Sequence, residues 1–172
     1  YLKRHSLNII IGGLLAYGMT LIDYRLLRAY TPILWAIGVL GLTAVLIPGI
    51  GDEVNGSKAW IGLPGGFQVQ PAELAKISII VGMSMILSER THDTDSPQHT
   101  DVLQALVVAA IPVLLILAQP DMGTVFIIGI AVVTMIAVSG APMRWVVGLI
   151  LVAVIGSFAA VKVGVINDYQ VK

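Results

Sequence analysis

The sequence predicts an all-α fold, a polytopic helical membrane protein whose residues 1–172 form a single transmembrane domain with six membrane-crossing helices. Two observations carry that reading. Hydrophobic residues make up 57% of the chain and charged residues 12%, with a mean hydropathy of +0.92, beyond the range of ordinary soluble domains. Six apolar runs follow one another with only short polar breaks. Buried core helices of a soluble protein account for one or two such runs, not six.

Taken in order, the predicted helices cover residues 7–22, 32–47, 71–87, 102–118, 122–138 and 145–165. Each approaches the roughly 17 to 25 residues that a crossing helix needs at about 1.5 Å of rise per residue. The breaks have recognisable chemistry. Asp23-Tyr24-Arg25 and Arg28 follow the first run, Pro48-Gly49-Ile50-Gly51 and Pro64-Gly65-Gly66 bracket a turn-rich loop, and Ser139-Gly140-Ala141-Pro142 precedes the last run. The stretch from Ser88 to Asp101 holds Glu89, Arg90, His92, Asp93, Asp95 and His99, and reads as a solvent-exposed loop.

Charge and composition exclude several classes. Ten basic and ten acidic residues cancel, and the pI is near 7.0, so there is no basic nucleic-acid surface and no acidic tail. No nucleic-acid partner is expected; the surrounding partner is membrane lipid. The absence of cysteine excludes disulfides and thiolate chemistry but leaves the redox compartment open. The chain opens at Tyr1 without a cleavable signal pattern, so it is expected to be a piece of a longer protein. Charge bias does not orient it: alternation puts Arg25, Arg28, Arg90 and Arg144 on one side and Lys3, Arg4 and Lys58 on the other.

Candidate functional residues are charges set into or beside apolar sequence. Pro71 suits a first helical position, where its missing N–H is unpaired in any case, and Glu73 then occupies the first turn, favoured by the positive end of the helix dipole. Lys76 lies three residues on, on the same face. The pair has two readings: a snorkelling lysine with a neutralising carboxylate, or a cation facing a polar cavity and binding an anionic group such as phosphate. Gln119-Pro120-Asp121-Met122-Gly123-Thr124 sits between two apolar runs with almost no room for a loop. Pro120 breaks the helical ladder there, and Asp121 can cap the next helix or, with Gln119 and Thr124, line a polar cavity at membrane depth. Trp60 reads as an interfacial anchor, and Lys58 as a solvated charge or a phosphate contact.

Other patterns are weak. Asn55-Gly56-Ser57 matches a glycosylation acceptor, a pattern short enough to recur by chance. Gly65-Gly66 lacks the ending of a phosphate loop. His92 and His99 with the neighbouring aspartates do not have the spacing of a metal-ligand set.

Three motifs together resemble the SEDS family (shape, elongation, division and sporulation), bacterial peptidoglycan glycosyltransferases. They are Gly56-Ser57-Lys58-Ala59-Trp60-Ile61, then Gln70-Pro71-Ala72-Glu73-Leu74-Ala75-Lys76, then Gln119-Pro120-Asp121-Met122-Gly123-Thr124. Ile22-Asp23-Tyr24-Arg25 and Asn167-Asp168-Tyr169-Gln170 look more like the rod-shape (RodA) branch than the division (FtsW) branch. Ala72, where the family often has Ser, and Ala59, where a basic residue is common, depart from the pattern without removing a candidate charge.

The resemblance implies a ten-helix fold in the bacterial cytoplasmic membrane, of which this chain covers roughly the second to the seventh helix. It implies that the parent protein joins lipid II, a lipid-linked disaccharide-pentapeptide, into glycan strands during cell elongation or division, beside a class B penicillin-binding transpeptidase. Lys58, Glu73, Lys76 and Asp121 are then the substrate-binding candidates. Gln70, Pro71, Gln119, Pro120, Gly123, Thr124 and Trp60 are the residues shaping the cavity. A divalent cation (Mg or Mn) bridging the phosphates is a candidate cofactor, with Asp121 its only nominee here. The family's catalytic aspartate belongs to a large extracellular loop expected just past Lys172, so this fragment alone is expected to be inactive. The family also orients the chain, with residues 48–70 outside and 88–101 cytoplasmic. Two alternatives from other classes are a lipid II flippase and a membrane scaffold for cell-wall synthases.

Overall fold

The computed structural model describes residues 2–21, 23–54, 56–64, 67–88 and 96–163. Among these residues are six helices: α1 (Leu2–Thr20), α2 (Tyr24–Leu46), α3 (Pro71–Ser88), α4 (His99–Leu117), α5 (Met122–Val138) and α6 (Met143–Val163). A three-stranded antiparallel sheet, β1 (Gly51–Val54), β2 (Ser57–Leu63) and β3 (Phe67–Val69) in that spatial order, stands between α2 and α3.

Helix α2 departs most from the sequence expectation. The apolar run marked by hydropathy begins at residue 32. Instead Asp23 accepts the Arg25 backbone N–H at 2.9 Å and caps a helix that begins at Tyr24, so Pro32 lies inside it. α4 likewise begins earlier than residue 102, at His99, because the Asp101 carboxylate accepts the Gln98 N–H at 2.8 Å in the manner of a capping box. α1 starts and ends ahead of the predicted 7–22, and α6 begins two residues before Trp145.

Among the described residues, three helical stretches are long and apolar enough to cross a membrane: Arg28–Leu46, Pro71–Ser88 and His99–Leu117. At about 1.5 Å per residue these match a hydrocarbon core of about 30 Å. Met122–Val138 and Met143–Gly156 are apolar but shorter. Exposed apolar side chains such as Leu40, Leu114, Phe126 and Ile155 cover the outside of the bundle, as lipid-facing surface requires.

The centre is α2, α3 and α4 packed on one another, with α5 against α3 and α4, and α6 against α5. Leu42, Ala75, Ile79, Met83, Val102, Ala105, Ile116, Ile128 and Ile136 form the continuous core. Small residues let α2 and α3 approach closely: a Cβ added at Gly41 would lie 3.0 Å from the Pro71 side chain, and one at Gly38 would lie 3.2 Å from the Ala75 Cα.

The sheet is the part of the fold the sequence reading missed, treating residues 48–70 as a turn-rich loop. Val54 pairs with Ser57, leaving a two-residue hairpin connection in which Gly56 takes a φ of 79°. Gly51 is the other position where glycine is required, since a Cβ there would sit 2.3 Å from the Val45 carbonyl oxygen. The sheet is thereby held tightly over the end of α2, and it also touches the start of α3.

At the opposite end, His99 joins α4 to α6. The Trp145 indole N–H donates to His99 Nδ1 at 2.8 Å, and Arg144 contacts Nε2 of the same ring. His99 is therefore engaged with α6, while His92, Asp93 and Asp95 lie outside the described residues.

Candidate functional site

The functional candidates gather at the sheet end of the bundle, because α2 ends there, α3 begins there, and the α4–α5 break returns the chain to it. The break is short: Gln119 and Pro120 form a turn, and α5 starts at Met122.

Asp121 caps α5 with both carboxylate oxygens engaged. Oδ1 accepts the Thr124 backbone N–H at 3.1 Å; Oδ2 accepts the Thr124 hydroxyl at 2.7 Å and the Gln70 Nε2–H at 3.1 Å. Gln70 is the residue before α3, so a single carboxylate fastens the start of α3 to the start of α5. Gly123 stands beside this cap, where an added Cβ would meet only the Asp121 Oδ1 at 3.7 Å.

Gln119 is 1% exposed and acts as a second fastening. Its Nε2–H donates to the Leu42 carbonyl at 3.0 Å, and its own backbone carbonyl accepts the Ser57 hydroxyl at 2.8 Å. The sheet, the end of α2 and the α4–α5 break are thus tied through one residue. Among the described residues its Oε1 has no hydrogen-bond partner. Ser57 had entered the sequence reading only as part of a motif, and Leu42 not at all; neither residue type signals such a role.

Glu73 and Lys76 form a separate unit on α3. Lys76 Nζ lies 2.7 Å from Glu73 Oε1, with the lysine side chain 21% exposed and the glutamate 59%. Beyond its ammonium, Lys76 borders a slot of about 40 Å³ between α3 and α5 whose other walls are aliphatic, Ile79, Ile80, Ile127 and Ile128 among them. Pro71 is buried where α3 meets Gly41. Lys58 is exposed on β2 opposite Glu53, and Trp60 is half-buried opposite Asp52.

The structure therefore brings Gln70, Asp121 and Thr124 together, and Glu73 with Lys76, but leaves Lys58 apart on the sheet. No group of three His, Asp or Glu side chains suited to a metal ion occurs among the described residues. Asp121 holds the only carboxylate of its cluster, and its oxygens already accept three hydrogen bonds, so these residues do not by themselves make a divalent-cation site. A cavity of about 670 Å³ lies elsewhere, at the opposite end, lined by Ser84, Leu87, Ser88, Thr134, Met135 and their neighbours. None of the candidates touches it.

Lipid-facing helices, a small sheet clamped over one end and amide and carboxylate fastenings beneath it define a multi-pass membrane protein. The family model of the FtsW, RodA and SpoVE cell cycle proteins matches residues 1–172, and the chain belongs to that family. A relative named "Probable peptidoglycan glycosyltransferase FtsW" from Geobacter sulfurreducens is 36% identical over 156 residues, covering 89% of this chain and 40% of the relative. Stage V sporulation protein E of Bacillus subtilis is 34% identical over 156 residues, covering 91% and 42%. The crystal structure of the rod shape determining protein RodA of Thermus thermophilus superposes with a TM-score of 0.75 at 30% identity, covering 90% of this chain and 50% of that one. A chain from a peptidoglycan synthase complex, described as coordinating polymerization and crosslinking, gives the same TM-score of 0.75 at 30% identity, with 98% and 48% covered. The chain spans about two fifths to one half of the length of these relatives.

Proposed function

We propose that this chain is part of a peptidoglycan polymerase of the bacterial cytoplasmic membrane, joining lipid II units into glycan strands for elongation or division. The names of its sequence relatives support the activity. The observation within the structure that carries the site is the Lys76 ammonium, held at 2.7 Å by Glu73 in the first turns of α3.

A cation fixed beside a helix N-terminus and bordered by aliphatic side chains is suited to a diphosphate. The low-dielectric surroundings strengthen its pull on the negative charge that develops as the donor's lipid diphosphate leaves. In this reading Glu73 positions Lys76, Lys58 adds charge from the sheet, and Asp121 with Gln70 keeps the starts of α3 and α5 in register. Mg or Mn would neutralise the diphosphate when bound, with further ligands from outside the described residues. No general base is assigned to these residues; one removing the proton from the acceptor sugar hydroxyl belongs to the rest of the protein. A class B penicillin-binding transpeptidase is the proposed partner, supported by the synthase complex in which a similar chain occurs.

The test is incubation of the full-length gene product with labelled lipid II. Glycan polymer is expected, with its loss in Lys76→Ala protein of normal abundance. Absence of polymer from folded protein, supplied with its transpeptidase and divalent cation, would overturn the reading. Lipid II crossing liposomes would then favour a flippase, and transpeptidase binding indifferent to Lys76 and Asp121 a scaffold.

A further inference from the structure

The β2–β3 hairpin is amphipathic across its two faces, a property fixed by its register. Ile61 pairs with Val69, Gly62 with Gln68, and Leu63 with Phe67. Directly paired residues share a face and neighbours along a strand alternate, so Ile61, Leu63, Phe67 and Val69 lie on one side and Trp60, Gly62 and Gln68 on the other. Asp52 belongs to the second side: a Cβ added at Gly62 would lie 2.6 Å from its Oδ2. One face is thus apolar without a charge, and the other carries a carboxylate, an amide and an indole.

The bundle absorbs this face only at its Ser57 and Ala59 end, where Ala59 is 1% exposed and Ser57 bonds to Gln119; the part toward the β2–β3 turn is left open. Leu63 is 45% exposed, Phe67 49% and Val69 41%. Its position in the chain bears on what covers it. Val69 stands two residues before Pro71, where the membrane-crossing α3 begins. At about 3.3 Å per residue, Phe67 is within about 13 Å of that start. The next large apolar side chains of α3, Leu74 and Ile77, are themselves exposed near the start of this membrane-crossing helix. The exposed apolar residues of the hairpin thus adjoin, within a few residues of chain, the exposed apolar residues of a membrane-crossing helix.

We propose that the β2–β3 hairpin is a membrane-interface anchor, its Leu63, Phe67 and Val69 face seated in the lipid of the adjoining leaflet. The occupant is lipid rather than a protein segment because the patch adjoins a membrane-crossing helix and lacks the polar groups that rim a protein interface. The anchor would fix the height of the sheet, and with it Ser57 and the Gln119 fastening, relative to the bilayer. It rests on the membrane-spanning fold and is independent of the proposed polymerase activity.

These 172 residues contain no cysteine, so single-cysteine probes can be placed freely once any others in the full-length protein are replaced by serine. Nitroxide labels at Leu63→Cys, Phe67→Cys and Gln68→Cys would be compared in full-length protein reconstituted into phosphatidylethanolamine and phosphatidylglycerol vesicles. The expected result is a ratio of oxygen to aqueous nickel-chelate accessibility several-fold higher at 63 and 67 than at 68. Equal nickel accessibility at all three positions would place the hairpin in water and overturn the proposal. Exclusion of both probes from 63 and 67 would overturn it in favour of a protein cover, whether a later segment of the chain or a partner. Exposed labels do not disturb the core, and a monodisperse elution profile checks that each variant is folded.

Discussion

The indole N–H of Trp35 on α2 donates at 3.0 Å to the Val108 carbonyl of α4, the carbonyl that Pro112 leaves without its helical partner. An α-helical carbonyl is normally paired with the N–H four residues on, and proline has none. The buried Pro112 thus creates an acceptor in an apolar interior, and an aromatic side chain 73 residues away in sequence satisfies it.

That pairing predicts a non-additive mutant pair. Trp35→Phe keeps an aromatic ring, though a smaller one, but removes the N–H and strands the carbonyl, and should cost at least about 1 to 2 kcal/mol, the scale of an interhelical hydrogen bond in a membrane protein. Pro112→Ala restores a helical N–H, so the same Trp35 substitution in that background should cost measurably less. A double-mutant cycle on unfolding of the full-length protein in detergent reads the coupling; a coupling of zero would mean the carbonyl gains nothing from Trp35.

Close helix approach predicts opposite responses to the same substitution at two glycines. Gly38→Ala presses a methyl against the Ala75 backbone at 3.2 Å and should destabilise by about 1 to 3 kcal/mol as α2 and α3 separate. Gly129 has nothing within 4 Å of an added Cβ, so Gly129→Ala should be neutral or gain up to about 1 kcal/mol from helix propensity. Thermal unfolding of the two variants side by side checks both signs.

The helices were legible because hydropathy and caps are local. Pro71 opening α3 and Asp121 capping α5 follow from residue chemistry within four positions. What escaped depends on topology or on competing local signals. Asp23 outweighed Pro32 as the start of α2, since a side-chain cap decides where a helix begins and an internal proline only removes one bond. The sheet was obscured because Gly and Pro dominate residues 48–70, although Asn55-Gly56 between extended segments is a hairpin signal that had been read as a glycosylation pattern. Gln70 to Asp121 and Gln119 to Leu42 span 51 and 77 residues, and nothing local announces a partner at such distance.

Gln119 predicts an asymmetry between two similar-sized replacements. Gln119→Leu loses the bond to the Leu42 carbonyl but also removes the unpartnered Oε1, so the net cost should stay near about 1 kcal/mol. Gln119→Glu puts a carboxylate at a site 1% exposed, removes the donor to Leu42, and should cost several-fold more or block folding. Elution profiles of fluorescently tagged full-length protein over a temperature series would rank the two, and equal behaviour would show that this position tolerates charge through water.

The Glu73 and Lys76 pair separates a structural from a functional role by charge exchange. As an ion pair in which Glu73 is 59% exposed, it should contribute no more than about 1 kcal/mol to stability. Exchanging the residues, Glu73→Lys with Lys76→Glu, keeps opposite charges three residues apart on one face but moves the cation from position 76 to the more exposed position 73. A merely neutralising pair predicts that the exchanged protein folds and polymerises lipid II like the parent. The diphosphate role proposed for Lys76 predicts that it folds with a melting temperature within a few degrees of the parent yet loses polymerisation by at least tenfold. Lys76→Arg should keep part of the activity, since the charge stays near its place while a planar guanidinium replaces the compact ammonium. Gel assays of glycan polymer, normalised to folded protein, distinguish these outcomes; full activity in the exchanged protein would remove Lys76 from the substrate site.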